Sequence, residues 1–289
     1  MPLLHTLRNY LSLVKFSHTI FALPFAFIGF WLGLAQSGAS FSWKLFLLML
    51  ACMVFARSAA MAFNRYADRE FDRKNPRTFI REIPSGIIAP SSALRFVLLN
   101  VALFWICTWF INPLCFALAP VALLVVLGYS YTKRFTALCH LVLGLGLSLA
   151  PIGAYLCITG TFALAPLLFS GAVLFWVSGF DVLYALQDED FDRSQGLRSL
   201  PVLLGAERAL RLSRFLHILC SACILGAGWY AHLGFWYGCG TALFMLLLVY
   251  QHSLVKPHDL SRINLAFFTT NGIASVVFAL FFLLDRWQA

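Results

Sequence analysis

The 289-residue chain is 61% hydrophobic and only 11% charged, with a mean hydropathy of +0.83. That composition excludes an ordinary water-soluble domain and defines a polytopic membrane protein. Its net charge of +9 is carried by basic residues that border apolar runs and are interleaved with acids, which argues against nucleic acid as a partner and for an anionic lipid surface or substrate.

Nine apolar runs can be read in chain order, at 17–35, 45–64, 94–111, 114–131, 141–158, 162–186, 212–231, 234–251 and 264–284. Each is close to the roughly 17–25 residues that cross a bilayer. The loops are too short for a separate soluble domain, so residues 1–289 read as one all-α integral-membrane unit, nine helices bundled around a central cavity. With the amino terminus inside, the outer segments hold only Lys44 and Arg286, while nearly every other Lys and Arg is inner. The positive-inside rule therefore predicts a cytoplasmic amino terminus and cytoplasmic loops after the second and sixth runs, in a membrane such as the bacterial inner membrane. The first run is too long for the core of a secretory signal and reads as a retained helix.

The first run, KFSHTIFALPFAFIGFWLG, has Lys15 and His18 at its inner end. His18 reads as an interfacial residue or a cavity-lining one, and Pro24 as a kink. The second run closes on RSAAMAFNRYADREFD, in which Arg57, Asn64, Asp68 and Asp72 follow at steps of seven, four and four. On one helix those side chains share a face. Arg57 lies deep in its apolar stretch, where a charge is costly and by default functional; it reads as a clamp for a carboxylate or phosphate, with a salt bridge to another helix as the plain alternative. The following loop adds Arg73, Lys74, Arg77 and Arg81, with turn signals at Asn75-Pro76 and Pro84-Ser85-Gly86.

The fourth run ends at Tyr129-Ser-Tyr-Thr-Lys133-Arg134, and the fifth is rich in Gly and Ala, which permits close helix packing, with Pro151 as a local break. The sixth closes on DVLYALQDEDFD, where Asp188-Glu-Asp-Phe-Asp192-Arg193 repeats Asp68-Arg-Glu-Phe-Asp72-Arg73. Asp181 precedes Asp188 by seven, and Arg193 and Arg198 follow. Eight of the twelve acidic residues sit in these two clusters, whereas acid used only for solubility would be scattered. Paired carboxylates beside basic groups suit Mg²⁺, which takes one or two carboxylates and fills its other positions with water and phosphate oxygens, and the basic groups suit the charge left on a diphosphate. Cys220 and Cys223 have no second pair to complete a zinc site and read as buried small hydrophobes. Asn271 in the last run reads as an interhelical hydrogen bond.

These stretches resemble the UbiA superfamily of intramembrane prenyltransferases. Asn64-x-x-x-Asp68-x-x-x-Asp72 is similar to its first signature, and Asp188-x-x-x-Asp192, preceded by Asp181 and Tyr184-Ala185, to its second. Tyr129-x-x-x-Lys133 and Arg81 with Pro84-Ser85-Gly86 are similar to two further elements. The resemblance implies that Asp68, Asp72, Asp188 and Asp192 hold Mg²⁺ on a polyprenyl diphosphate. Asn64, Asp181, Arg73, Arg77, Lys133 and Arg198 would support that site, Tyr184 and Arg81 would border it, and Arg57 would take the acceptor's carboxylate. Phe63, Phe71, Tyr129 and Tyr184 are candidates to shield an allylic cation. The chain looks closest to the 4-hydroxybenzoate polyprenyltransferase-like branch. It departs from that branch at Val14-Lys15-Phe16-Ser17, which stands in place of Arg-x-Asp-Lys-Pro, and at His140, where Gln is expected. KFSHTIFALPFA looks more like enzymes of menaquinone makers, so 4-hydroxybenzoate and a dihydroxynaphthoate both stand as acceptors. A haem or lipid acceptor is a further alternative. No protein partner is expected. A cation-coupled transporter fits less well, because Arg beside the acids repels cations.

Overall fold

The computed structural model describes residues 2–15 and 21–288, with side chains from Arg8 onward; His18 and the rest of 16–20, on which the reading of the first run turned, lie outside them. The helices are α1 (Pro2–Leu13), α2 (Leu23–Ser37), α3 (Trp43–Ala67), α4 (Arg69–Lys74), α5 (Pro90–Trp109), α6 (Pro113–Thr132), α7 (Cys139–Thr159), α8 (Leu164–Ala185), α9 (Glu189–Ser194), α10 (Leu200–Leu204), α11 (Ala206–Tyr230), α12 (Phe235–Leu254) and α13 (Asn271–Gln288). No β-strand occurs among the described residues. Seven stretches are long and apolar enough to cross a membrane: α3, α5, α6, α7, Leu164–Ser194, α11 and Leu265–Gln288. The reading of nine crossings also counts α2, which is 15 residues long, and α12, and for those two it is a proposal.

Local chemistry sets the helix ends. Ser42 and Asn112 accept hydrogen bonds from the Leu45 and Cys115 amides and cap α3 and α6, filling donors that a first turn leaves open. Gly38 and Gly160, at φ 65° and 63°, close α2 and α7 in the left-handed conformation that glycine adopts without strain. Two prolines act differently from the sequence reading. Pro24 stands in the first turn of α2, where its missing N–H costs nothing, so within the described residues it starts a helix. Pro151 lies inside an unbroken α7. There α2 comes so close that a Cβ on Gly29 would stand 2.0 Å from the Pro151 carbonyl oxygen.

In lipid, apolar burial does not drive helices together; close packing and interhelical hydrogen bonds do. Gly144 of α7 shows the first, meeting the Leu174 backbone of α8 with no room for a side chain. The second is shown by Asn271, whose Oδ1 accepts from Trp176 Nε1 at 3.1 Å, the interhelical bond expected of it. Trp176 is the largest fully buried side chain and centres a core with Phe25, Phe169, Phe244 and Phe278. All eight cysteines are free, Cys220 being fully buried.

The acidic clusters are not helical faces in the way the spacing predicts. α3 stops at Ala67, Asp68 caps it, and Asp72 belongs to the separate six-residue α4. The second cluster repeats this: α8 stops at Ala185, a 3₁₀ turn spans Leu186–Asp188, and Asp192 lies in α9. Each cluster is therefore a helix, a break and a short helix, which bends the carboxylates across the end of the bundle.

Candidate active site

At this polar end each of the four paired aspartates meets a cation. The Asp68 carboxylate accepts from Asn64 Nδ2 at 3.1 Å and pairs with Arg134 at 3.4 Å. Asp72 receives Arg81 Nη1 on both oxygens, at 2.8 and 2.9 Å. Asp188 is held by Arg77, through Nη2 and through Nε at 3.1 Å, and by Asn75 Nδ2 at 3.3 Å. Asp192 is 1% exposed, and Lys133 Nζ stands 2.7 Å from its Oδ1. The partners cross between clusters, since Arg77 leaves the loop after the first to hold the second. Adjacent residues at the end of α6, Lys133 and Arg134, take one cluster each. Arg77 also donates to the Tyr184 hydroxyl at 3.2 Å.

The electrostatics are those of a crowded acidic site held by bases. Burial, and then the neighbouring Asp72, push the Asp68 carboxyl up to about 6, against the lowering effect of Arg134. For Lys133, burial favours the neutral amine, but the Asp192 carboxylate outweighs it and holds the ammonium above its ordinary pKa.

Beneath this end lies a cavity of about 350 Å³ with almost wholly apolar walls from α3, α5, α6 and α7. Arg57 and Tyr129 are its polar residues nearest the acidic end. Arg57 makes no ion pair among the described residues, and its buried Nε has no hydrogen-bond partner; the salt bridge to another helix is not formed. Tyr129 lies within electrostatic reach of Arg57, Asp68 and Asp181, so it stands between the cavity and both clusters.

Asp181 is held by a residue to which the sequence assigned no role. His140 Nε2 accepts from the Leu200 amide at 3.3 Å, which leaves its proton on Nδ1, 2.6 Å from Asp181 Oδ2. Asn75 and Arg134 were likewise read only as a turn signal and a positive anchor. His140 offered two signals, a lone histidine opening an apolar helix and its place where Gln is expected.

Not every expected residue is brought in. Arg73 is 61% exposed and pairs with Glu70 at 3.3 Å, away from the carboxylates. Arg198 donates to the Phe135 carbonyl at 2.8 Å and ties one loop to another. Tyr129 and Lys133, four apart, divide their duties between the cavity and Asp192. Of the four aromatic candidates only Tyr129 lines the cavity; Phe63 packs against Tyr66 and Tyr131, Tyr184 stacks on Phe267 at 4.0 Å, and Phe71 faces Arg134.

No three His, Cys, Asp or Glu side chains among the described residues already form a metal-binding group. The donor set still fits Mg²⁺, which needs only one or two carboxylates beside substrate and water oxygens, because the four carboxylates are hard oxygen donors that each face a cation.

A membrane bundle with an apolar cavity beneath two acidic clusters that share their cations is the architecture of an intramembrane transferase. The chain belongs to the UbiA prenyltransferase family, which it matches over residues 22–273. It is 30% identical over 248 residues to a 4-hydroxybenzoate octaprenyltransferase of Tolumonas auensis, covering 86% of each chain. A similar protein of that description from a Shewanella strain is 30% identical over 68% of each chain. Among solved structures it is similar to an apo UbiA homologue of Aeropyrum pernix, with TM-score 0.84 and 32% identity over 93% and 98% of the two chains. It shares the fold of an Archaeoglobus fulgidus homologue bound to GPP and Mg²⁺, with TM-score 0.76 and 23% identity over 96% and 99%.

Proposed function

We propose that this prenyltransferase moves a polyprenyl group from a polyprenyl diphosphate to a ring carbon of a hydroxylated aromatic acid, 4-hydroxybenzoate or a dihydroxynaphthoate, in quinone biosynthesis. The observation that carries this reading is the unpaired Arg57 in an apolar cavity that it lines with Tyr129, on the helices that lead to the acidic clusters. An unpaired guanidinium among apolar walls suits an acidic ligand. The homologue structures bound to Mg²⁺ with GPP or with DMAPP and the octaprenyltransferase relatives support the choice of donor and metal.

Asp68, Asp72, Asp188 and Asp192 would hold Mg²⁺, which when bound draws charge from the diphosphate and eases loss of the leaving group. Each carboxylate is balanced by its own base. With a divalent ion held by these carboxylates, Arg77, Arg81, Lys133 and Arg134 would be free to turn to the diphosphate oxygens. Asn64 keeps Asp68 in place. Arg57 clamps the acceptor's carboxylate and turns its ring toward Tyr129, whose aromatic face stabilises the allylic cation. Attack by the ring carbon forms the new C–C bond and leaves a proton on that carbon. Asp181, steered by His140, takes that proton. The apolar walls exclude water that would capture the cation and hold the isoprenoid tail. The chain acts as one domain, with this end on the cytoplasmic side as the basic residues direct.

Membranes containing the protein, given Mg²⁺, a labelled polyprenyl diphosphate and either 4-hydroxybenzoate or 1,4-dihydroxy-6-naphthoate, test the proposal. A prenylated product with one acceptor, lost with EDTA, is expected. No product with either, while the diphosphate still binds, would reject an aromatic-acid acceptor.

A further inference from the structure

On the far side of the bundle from the cavity, α11 and α12 leave a groove lined by Arg214, His217, Ile218, Ser221, Val249 and His252. Ile218 and Val249 are 64% and 68% exposed, so the groove opens outward, toward lipid in a membrane. Two histidines form its floor, and their protons can be placed. His217 Nε2 stands 3.2 Å from the Trp176 carbonyl oxygen, which can only accept, so the proton is on Nε2. His217 has no carboxylate partner among the described residues, so its ring is neutral and Nδ1 is an acceptor. That atom is 2.9 Å from His252 Nε2, which must then donate. His252 Nδ1 is left with a lone pair, buried and without a partner. Buried acceptors in native structures are nearly always satisfied, and an orphan calls for a missing donor.

The arrangement is built rather than incidental. A Cβ on Gly179 would fall 2.4 Å from the His217 ring, so α8 carries glycine where the ring lies against it. Arg214, exposed at the same groove, has no acidic partner among the described residues, and its charge is felt at His252. Arg208 and Arg211 extend the unpaired stripe along α11 to the polar end. The groove thus offers a fixed acceptor, a guanidinium and apolar walls.

We propose that it binds an anionic glycerophospholipid whose headgroup bears a hydroxyl, as in phosphatidylglycerol. The phosphate pairs with Arg214, the headgroup O–H donates to His252 Nδ1, and the acyl chains follow Ile218 and Val249. Neither histidine takes part in the proposed transfer, so this site stands or falls apart from it.

Native mass spectrometry of the detergent-purified protein, titrated with phosphatidylglycerol or phosphatidylmethanol, isolates the hydroxyl, because the two share charge and phosphodiester and only the first has the donor. Wild type is expected to bind phosphatidylglycerol about fivefold tighter, the effect of one hydrogen bond. His252→Ala and His252→Phe should lose that preference, the second keeping a ring to pack on His217. Arg214→Gln should weaken both lipids and keep their ratio. Equal affinities in wild type, as expected if water satisfies Nδ1, or a preference that survives in both His252 variants, would overturn the site.

Discussion

The two acidic clusters are nearly the same in sequence and are set differently in the bundle. The second hangs from the buried centre: most residues of α8 are buried, whereas few of α3 are. Three of its acids are held from elsewhere, Asp181 by His140 of α7, Asp188 by Arg77 and Asn75, and Asp192 by Lys133. The first partly closes on itself, through Asn64 to Asp68 and Arg81 to Asp72. A repeated motif thus makes two devices, a fixed hub on α8 and a more exposed arm on α3 whose loop reaches across to it. In the proposed reaction the hub sets the position of the diphosphate and the arm closes on it.

The sharpest way to break that contrast is to neutralise one acid in each cluster. Asp192→Asn and Asp72→Asn are each expected to cut transfer about a thousandfold, as loss of a main electrostatic contact does. Asp192→Asn should also lower the melting temperature in detergent more than Asp72→Asn does, since the carboxylate it removes is 1% exposed against 9% for Asp72. Equal melting temperatures would refute the distinction between hub and arm.

Arg57→Ala, below both clusters, should raise the acceptor KM roughly tenfold or more and leave diphosphate binding unchanged. Arg57→Lys should not restore it, because an ammonium lacks the planar fork. His140→Leu should lower kcat several-fold with both KM values steady, and Gln at 140 should recover part of the rate by offering Asp181 an N–H again. A change in diphosphate KM instead would make His140 part of the hub's fold and not of proton removal.

The smallest effect is in pH. With its pKa raised to about 6, Asp68 holds a proton more tightly in the folded chain than in the unfolded one, so the metal-free protein loses stability as pH rises from about 4 through 6. Mg²⁺ must displace that proton below pH 6. The Mg²⁺ needed for half-maximal transfer should therefore climb toward tenfold per pH unit as pH falls, and an Asp68→Asn variant with measurable Mg²⁺ binding should lack the climb.

Much of this was legible in the sequence because it is written locally. Runs of bilayer length, acids at steps of four, and a charge buried in an apolar run each need only a short window, and Asn271 shows that even one interhelical bond can be read that way. What was not legible depends on where the chain breaks or meets itself. The i, i+4 pattern of Asn64, Asp68 and Asp72 is the same whether the helix continues or stops at Ala67. Pro24 reads as a kink unless the start of α2 is known. Arg73 and Arg198 look equivalent to Arg77 until Glu70 and the Phe135 carbonyl claim them. The pairing of His140 with Asp181, 41 residues on, and of His217 with His252, 35 residues on, has no local signal at all.

The central claim is that both clusters bind one diphosphate together. Calorimetric titration of the purified protein with an unreactive polyprenyl thiodiphosphate tests it, with and without Mg²⁺, in wild type, Asp68→Asn and Asp188→Asn. The account predicts one analogue per chain, bound only with Mg²⁺ and lost in either variant. Binding that needs no Mg²⁺, or that survives intact when either cluster is neutralised, would contradict it.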